Sequence, residues 1–446
     1  MKDRLLAAIE NKTASVVVLG LGYVGLPVAC LFAEAGFPVV GIRRSQNKVD
    51  VINRGKCPIE GREPGLAELM ARVVSGGCLR ATTDYEPCHE AQVVLVAVET
   101  PVDPATKKPR YKALRSALTD LGQHLSPGTM VIIESTIAPG TMSEVVQPIL
   151  EETSGLRVND RLDAGDFYLV TCPERVMPGK LLANIRGCHR VVGGMSPEAA
   201  DLAVRFYRHV VQADLDPVNC LTAELVKTME NAYRDVQIAF ANEMALLCEN
   251  MGADVWRIRE LVNKSPHRAM HLPGAGVGGH CIPKDPWLLI ANAGEEFEPR
   301  LIPAARAIND GMPLHMADMT VKALQEAGVD IADAKVAVLG YAYLENSDDT
   351  RNSPSVVLVT RLRELGAEVV IHDPWVPEHR GDLAEAVQGC DAVVLMVAHD
   401  EYRAVDLSGL RAQVARSILI DGRNVFPAKQ ARAMGWEYCG VGRGKR

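Results

Sequence analysis

The stretch SVVVLGLGYVGLPVACLFAEAGFPVVGI, residues 15–42, decides the fold. Its first five residues are a short β-branched run suited to a strand buried on both faces. GLGYVG follows, with Gly20, Gly22 and Gly25 in GxGxxG spacing, and residues 26–35 then repeat apolar side chains at helical intervals. A second β-branched run fills 38–42. The pattern predicts strand, tight turn, helix, strand. In such a turn the first glycine makes the bend and the second lets a pyrophosphate approach the backbone, while the third lets helix and strand pack closely. The helix N-terminus offers unpaired amides to the anion. The turn reads as a dinucleotide site; the plainer alternative is a glycine turn without a ligand. Residues 16–33 carry no charge and approach the length of a membrane span. Three glycines, Pro27 and a change of period favour strand–turn–helix instead.

Working outward, further strands are expected at 91–98 (AQVVLVAV) and 130–134 (MVIIE), separated by helical stretches. That alternation indicates a parallel sheet with right-handed crossovers, and residues 1–210 read as a doubly wound NAD(P)-binding domain. Residues 222–251 contain no Gly or Pro and predict one helix about 45 Å long. It would link two domains and offer a dimer surface, so 211–325 reads as a central helical domain. Near 335 the first pattern restarts with KVAVLGYAY, EVVIHDP and DAVVLMVAHD. The expected fold is α/β: two doubly wound, Rossmann-like parallel-sheet domains joined by a long central helix, the second at 326–446.

Composition narrows the function classes. The 446 residues are 48% hydrophobic and 23% charged, as in a globular protein of two or three domains. A net charge of -8 argues against a nucleic-acid partner, whose phosphates call for Lys and Arg, but not against a single nucleotide. The eleven cysteines form no CxxC pair and no tight Cys/His cluster, which suggests reduced thiols in a cytoplasmic protein and no metal site. The opening residues MKDRLLAAIENKTAS carry charges throughout and no apolar signal core, and no membrane partner is expected.

The most informative chemistry lies in GVGGHCIPKDP, residues 276–286. Cys281 follows a glycine-rich turn whose amides can face its sulfur or an adjacent oxyanion. Lys284 and Asp285 stand close behind, and nearby positive charge favours the nucleophilic thiolate. On the long helix Lys227 and Asn231 are four apart and share a face; a solvent-facing polar stripe is the bland reading of that pair. After the second strand, where an acid usually binds ribose hydroxyls, stand Arg43 and Arg44. Two readings remain open there: attraction of a 2′-phosphate, or a solvated arginine pair. No role follows for His280.

GLGYVG, ESTIAPGT (134–141), CPERVMPG (172–179), AELVKTMENAYRDVQIAFANE (223–243), GVGGHCIPKDP and SDDTRNSP (347–354) occur in this order. Together they resemble the UDP-glucose/GDP-mannose dehydrogenase family over about residues 15–430, and most closely its UDP-N-acetylhexosamine branch. The resemblance implies a four-electron oxidation of a nucleotide sugar's C6 alcohol to the uronate. Cys281 would form a thiohemiacetal and then a thioester. Lys227 and Asp285 would manage protons, Asn231 and Lys227 would stabilise the oxyanion, Glu174 would assist hydrolysis and Thr136 would help place the water.

The resemblance also implies cofactor contacts at Gly20, Gly22, Tyr23, Val24, Gly25, Arg43, Thr100 and Thr136. Substrate contacts would come from Glu174, Arg175, Val176, Lys227, Asn231, Arg268, Gly278 and Arg351. NAD is the expected cofactor, with NADP open because of Arg43 and Arg44. UDP-N-acetylmannosamine is the first substrate choice, followed by UDP-N-acetylglucosamine, UDP-N-acetylgalactosamine and UDP-glucose. Arg268 matches a position that reaches a neighbouring subunit, which implies a homodimer or a dimer of dimers. Two positions depart from the pattern. Arg43 replaces the family's acid, and Leu344 stands where the family has a lysine, leaving Arg351 as a basic residue nearby. Two other classes compete: a two-electron hydroxy-acid dehydrogenase, which would not need Cys281, and a silent nucleotide-sugar-binding protein.

Overall fold

In a computed structural model of the chain, residues 2–59, 61, 63–159 and 166–444 are described. They divide into two compact units, Met1–Glu230 with Trp287–Phe297, and Asn231–Pro286 with Glu298–Arg446. The boundary falls inside the long helix, Cys220–Met251, which runs 32 residues and matches the helix expected from sequence.

The first unit is built on an eight-stranded sheet. Its strands are β1 (Val16–Leu19), β2 (Val39–Ile42), β3 (Leu79–Thr82), β4 (Val93–Val96), β5 (Met130–Ile133), β6 (Tyr168–Thr171), β7 (Arg190–Gly194) and β8 (Leu215–Asn219). The order is β3-β2-β1-β4-β5-β6-β7-β8, parallel except between β6 and β7. Side chains of β1 alternate between two cores. Val16 and Val18 join Phe32, Phe37 and Phe206 on one face, while Val17 and Leu19 join Leu114, Leu118 and Ile133 on the other. That two-sided burial is why the sequence of β1 is uninterrupted valine and leucine. The strand order reverses between β1 and β4, so the glycine turn after β1 opens at the carboxyl-end crevice where doubly wound sheets bind ligands.

The second unit holds a wholly parallel five-stranded sheet. Its strands are β9 (Lys335–Leu339), β10 (Glu368–His372), β11 (Ala392–Leu395), β12 (Ile418–Asp421) and β13 (Glu437–Gly440), in the order β10-β9-β11-β12-β13. Here Val336 and Val338 face one core and Ala337 and Leu339 the other. The later part of the long helix is tied to the helix Leu301–Glu326 by a buried polar knot. Arg306 donates to Asp235 at 2.6 Å, and Asn309 donates to the same carboxylate at 2.8 Å. No helix of the described residues is long and apolar enough to cross a membrane, and 16–33 is strand, turn and helix as the glycines predict.

Candidate active site

At the glycine turn of the first unit, the three glycines are held by different constraints. Gly20 has φ +95°, and a Cβ there would lie 2.4 Å from the Ala97 carbonyl oxygen. A Cβ on Gly25 would lie 2.2 Å from the Gly20 carbonyl oxygen. Gly22 meets no protein atom within 4 Å of such a position. Packing therefore explains the outer two, whereas Gly22 borders open space. No side chain caps the helix Gly25–Glu34 that follows. A helix start without a side-chain cap, beside the open space at Gly22, fits a dinucleotide pyrophosphate. Tyr23, inside the turn, donates its hydroxyl to Glu63, whose carboxylate also accepts from the amides of Gly179 (2.8 Å) and Leu181 (3.3 Å). Glu63 thus joins the turn to the end of the CPERVMPG segment, a link that no sequence spacing announced. Val24 is half-buried at the helix start.

Arg43 folds back and donates to the Leu21 carbonyl inside the turn, and its partial burial lowers its pKa. Arg44 is exposed. At the carboxyl ends of β4 and β5, Thr100 donates to the Thr136 carbonyl at 2.6 Å. Beneath them lies a fully buried group: Glu134 accepts from Arg190 at 3.1 Å and from Tyr207 at 2.7 Å. Burial pushes the Glu134 carboxyl up against the pull of Arg190, and the like charge of Glu174 pushes the same way. Glu174 is buried and accepts from the amide of half-buried Val176. Arg175 turns away to a two-bond pair with Glu230 on the long helix (2.9 and 2.6 Å) and to His189. Lys227 is only 7% exposed. The solvent-stripe reading of the helix therefore fails at Lys227.

In the second unit the structure brings Asn231, Asp285, Lys284 and the Cys281 turn together. The Asn231 amide donates to Asp285 Oδ2 at 2.5 Å, and Lys284 Nζ lies 2.8 Å from Asp285 Oδ1. Asp285 is fully buried and Lys284 nearly so. Cys281 itself is half-buried, and its carbonyl accepts from the amides of Lys284 (3.1 Å) and Asp285 (2.9 Å), which start the short helix Asp285–Ile290. Lys284 was visible in the sequence beside Asp285, but adjacency alone gave it no partner.

The turn before Cys281 is moulded to the second sheet's loops. A Cβ on Gly278 would lie 2.6 Å from Tyr343 Cβ and 2.8 Å from the Asn352 carbonyl oxygen. Gly279 has φ +92° and faces the Tyr343 ring; its amide donates to the Arg351 carbonyl at 3.0 Å, and its carbonyl accepts from Asn352 at 3.0 Å. Gly276 packs on Pro313 and Pro354, and Gly274 on Arg423. Leu344, half-buried, follows Tyr343 in this loop. Arg351 directs Nε (2.9 Å) and Nη2 (2.5 Å) onto Asp349. His280, pressed by burial and then by Lys284 and Arg351, has its pKa lowered to about 4. It is neutral near pH 7. Arg268 is exposed, within 3.4 Å of the carbonyls of Pro266 and His267.

The cysteines separate by environment. Burial pushes Cys30 and Cys88 up to about 12 and Cys390 to about 11, so these thiols stay protonated. Among the described residues one trio, exposed Glu86 and His89 with half-buried His124, has possible ligand atoms within 4.8 Å of one another. It precedes β4 and β5, at the strand ends opposite the glycine turn.

Three domain models of one family match in order: the NAD-binding domain at residues 14–211, the central domain at 221–311 and the UDP-binding domain at 337–428. The chain belongs to the UDP-glucose/GDP-mannose dehydrogenase family. It is an oxidoreductase that acts on a CH–OH group of a nucleotide sugar, with an NAD-binding and a UDP-binding domain. Among its relatives, a UDP-N-acetyl-D-mannosamine dehydrogenase of Pyrococcus horikoshii is 40% identical over 96% of this chain and 99% of that one. The solved structure of a UDP-D-ManNAc dehydrogenase from the same organism matches with a TM-score of 0.89 at 39% identity, covering 96% and 99% of the two chains. That of an NDP-N-acetyl-D-galactosaminuronic acid dehydrogenase from Methanosarcina mazei Go1 matches at 0.86 and 37%, covering 99% and 98%. The fold of this dehydrogenase is thus the expected one.

Proposed function

We propose that the chain oxidises the C6 alcohol of UDP-N-acetylmannosamine to the uronate in two two-electron steps through a covalent Cys281 intermediate. The observation that carries this reading is the Cys281 turn, where a half-buried thiol precedes a buried carboxylate held by Asn231 and Lys284. The substrate choice rests on the relatives' names. N-acetylgalactosamine, N-acetylglucosamine and glucose as the UDP-linked sugar are the alternatives, the first favoured by the Methanosarcina relative.

A nicotinamide held at the glycine turn would supply the hydride acceptor for each step. Loss of hydride from C6 requires a proton acceptor at O6, and we assign that task to Lys227 and Asp285. The Cys281 thiolate then adds to the aldehyde carbon, and Asn231 and Lys227 stabilise the alkoxide of the thiohemiacetal. A second hydride loss converts this adduct to a thioester. Water positioned by Thr136 and assisted by Glu174 attacks the thioester; the carboxylate leaves and the thiol returns. Gly20, Gly22, Tyr23, Val24, Gly25 and Thr100 would hold the cofactor. NAD is the cofactor in this reading. NADP acceptance would rest on Arg44 and on release of Arg43 from the Leu21 carbonyl.

Residues 1–210, 211–325 and 326–446 would serve as cofactor, central and UDP-sugar domains. Val176, Arg268, Gly278 and Arg351 remain substrate-site assignments, and Arg175 would reach substrate only by leaving Glu230. Exposed Tyr233, Phe240 and Leu247 recur every seven residues on the long helix, with Met251 beyond, and support a homodimer or dimer of dimers. Eleven cysteines without a CxxC pair or a tight Cys/His cluster support a cytoplasmic location.

The test is reduced nicotinamide formed per UDP-N-acetylmannosamine consumed, with NAD and NADP in parallel. A ratio of two supports the reading. Turnover only with another UDP-sugar corrects the substrate, and no turnover with any of them overturns the reading.

A further inference from the structure

Glu224 lies in the first turns of the long helix, one turn before Lys227, and is 1% exposed. Its two carboxylate oxygens accept separate backbone hydrogen bonds, from Gly140 and Met142, both at 2.9 Å. Gly140 lies near the end of the ESTIAPGT segment that carries Thr136, and Met142 follows that segment directly. Other groups restrain the same loop from other sides. Tyr111 accepts from the Ala138 amide at 2.8 Å and bonds Thr141 at 3.1 Å, and Thr100 holds the Thr136 carbonyl. Asn292 donates to the Pro139 carbonyl at 2.9 Å. Of these four, only Glu224 stands on the helix that bears Lys227.

A buried carboxylate is a costly way to hold a loop. Burial, with Glu144 behind it, pushes its pKa up to about 7 against the pull of the Met142 and Gly140 amides, and its charge in turn raises those of Tyr111 and Cys220. In its ionised form it provides what a neutral amide cannot, two charge-assisted acceptors side by side. The loop is tight at this point, with Gly140 at φ +87° and a π-helical turn, Met142–Val146, directly after it. Such turns recur at functional sites.

We propose that Glu224 is a positioning residue that fixes the Thr136 loop against the long helix, and so sets Thr136 in register with Lys227. This rests on the reading given under Proposed function, in which Thr136 places the hydrolytic water and Lys227 handles protons. Glu224 itself touches no reacting atom in this account. A displacement of about 1 Å between such groups costs on the order of 100-fold in rate without loosening substrate.

The experiment compares wild type with Glu224→Gln, Thr136→Ala and the double variant, together with amide hydrogen exchange over residues 136–142. Glu224→Gln replaces one acceptor by a donor facing a donor. It is expected to lower kcat about 10- to 100-fold, to change both KM values by less than about threefold, and to speed exchange across the loop. The double variant is expected to be no slower than Thr136→Ala alone, because both act through one residue. Multiplying effects in the double variant, or wild-type kcat in Glu224→Gln, would overturn the proposal. So would unchanged loop exchange, which is read without turnover. If wild type turns over no UDP-sugar, the functional reading has failed, and the exchange result still decides the tether. If Glu224→Gln does not fold, Glu224→Asp keeps the charge but cannot reach both amides; wild-type kcat and exchange there would overturn the tether.

Discussion

Asp285 is gripped from two directions: Asn231 donates to its Oδ2 at 2.5 Å and the Lys284 ammonium stands 2.8 Å from its Oδ1. The contact spans 54 residues of sequence and joins the long helix to the segment just after Cys281. A buried carboxylate held this way keeps its orientation. Asn231→Ala should leave Oδ2 without that donor, cost about 1–3 kcal/mol of stability and lower kcat at least about tenfold. Urea unfolding and steady-state rates measured on the same preparation check both numbers.

Cys281→Ala should abolish uronate formation, with kcat falling by about 1,000-fold or more. No thioester can form without the sulfur, so at most one reduced nicotinamide should appear per sugar. Product analysis for the uronate, beside absorbance at the nicotinamide band, distinguishes a slow two-step enzyme from a one-step one.

His280 gives a pH prediction with a definite sign. Its pKa drops from the ordinary 6.5 to about 4 in the folded protein, through burial first and then Lys284 and Arg351. The unfolded chain therefore binds this proton more readily than the native one. The stabilisation is fully present above about 6.5 and is lost as pH falls from there towards 4. His280→Gln should flatten the decline of Tm across that window. It should leave the pH–rate profile between 6 and 9 unchanged in shape, since a neutral His280 does not titrate there.

Gly279→Ala should be severe for two independent reasons. Its φ of +92° disfavours any side chain, and the new Cβ would meet the Tyr343 ring at 2.7 Å. A loss of about 2–4 kcal/mol, or a kcat collapse with the fold intact, is expected. A thermal melt and a thiol-modification rate at Cys281 separate the two. By contrast, Gly22→Ala meets no protein atom, so Tm should hold while KM for NAD rises.

Arg190→Met should cost about 3–5 kcal/mol, because it leaves the fully buried Glu134 with the Tyr207 donor but without its cation. Adding Glu134→Gln to the same chain should recover part of that loss. Chemical denaturation of the two single variants and the double variant tests it.

Much of the fold could be read in the chain because burial writes itself into strands. β1, β4 and β5 are runs of valine, isoleucine and leucine, with Met130 opening β5, and with both faces in cores each was visible at once. β8, LDPVN, was not. It lies at the sheet edge, mostly exposed and carrying Pro217, and owes its form to pairing with β7. β3, LRAT, at the opposite edge, was missed for the same reason. The antiparallel step at β6 and β7 has no local signature either, since strand direction is set by the path of the connection.

The candidate site divides along similar lines. Cys281, Asp285, Lys227 and Asn231 stood in dense motifs, so their residue types and spacing drew attention to them. Glu63, Glu224 and Lys284 work through partners that are distant in sequence or, for Lys284, through a pairing that adjacency alone did not reveal. An isolated glutamate in a polar stretch looks like any solvated one until the chain folds over it. Arg175 shows the converse: motif position suggested a substrate contact, and the fold gives it Glu230 instead.

The four glycines ahead of Cys281 have a consequence for how such a protein can be recombined. Gly274, Gly276, Gly278 and Gly279 are shaped to Arg423, Pro354, Asn352 and Tyr343, all of which come from the part of the chain after residue 340. The nucleophile's loop and the carboxyl-terminal sheet are therefore a matched set, although some sixty residues intervene. A chimaera that borrows a relative's terminal domain to change the sugar would inherit a mould cast for a different loop. Exchange should succeed only when residues 274–282 travel with residues 340–423 as one cassette.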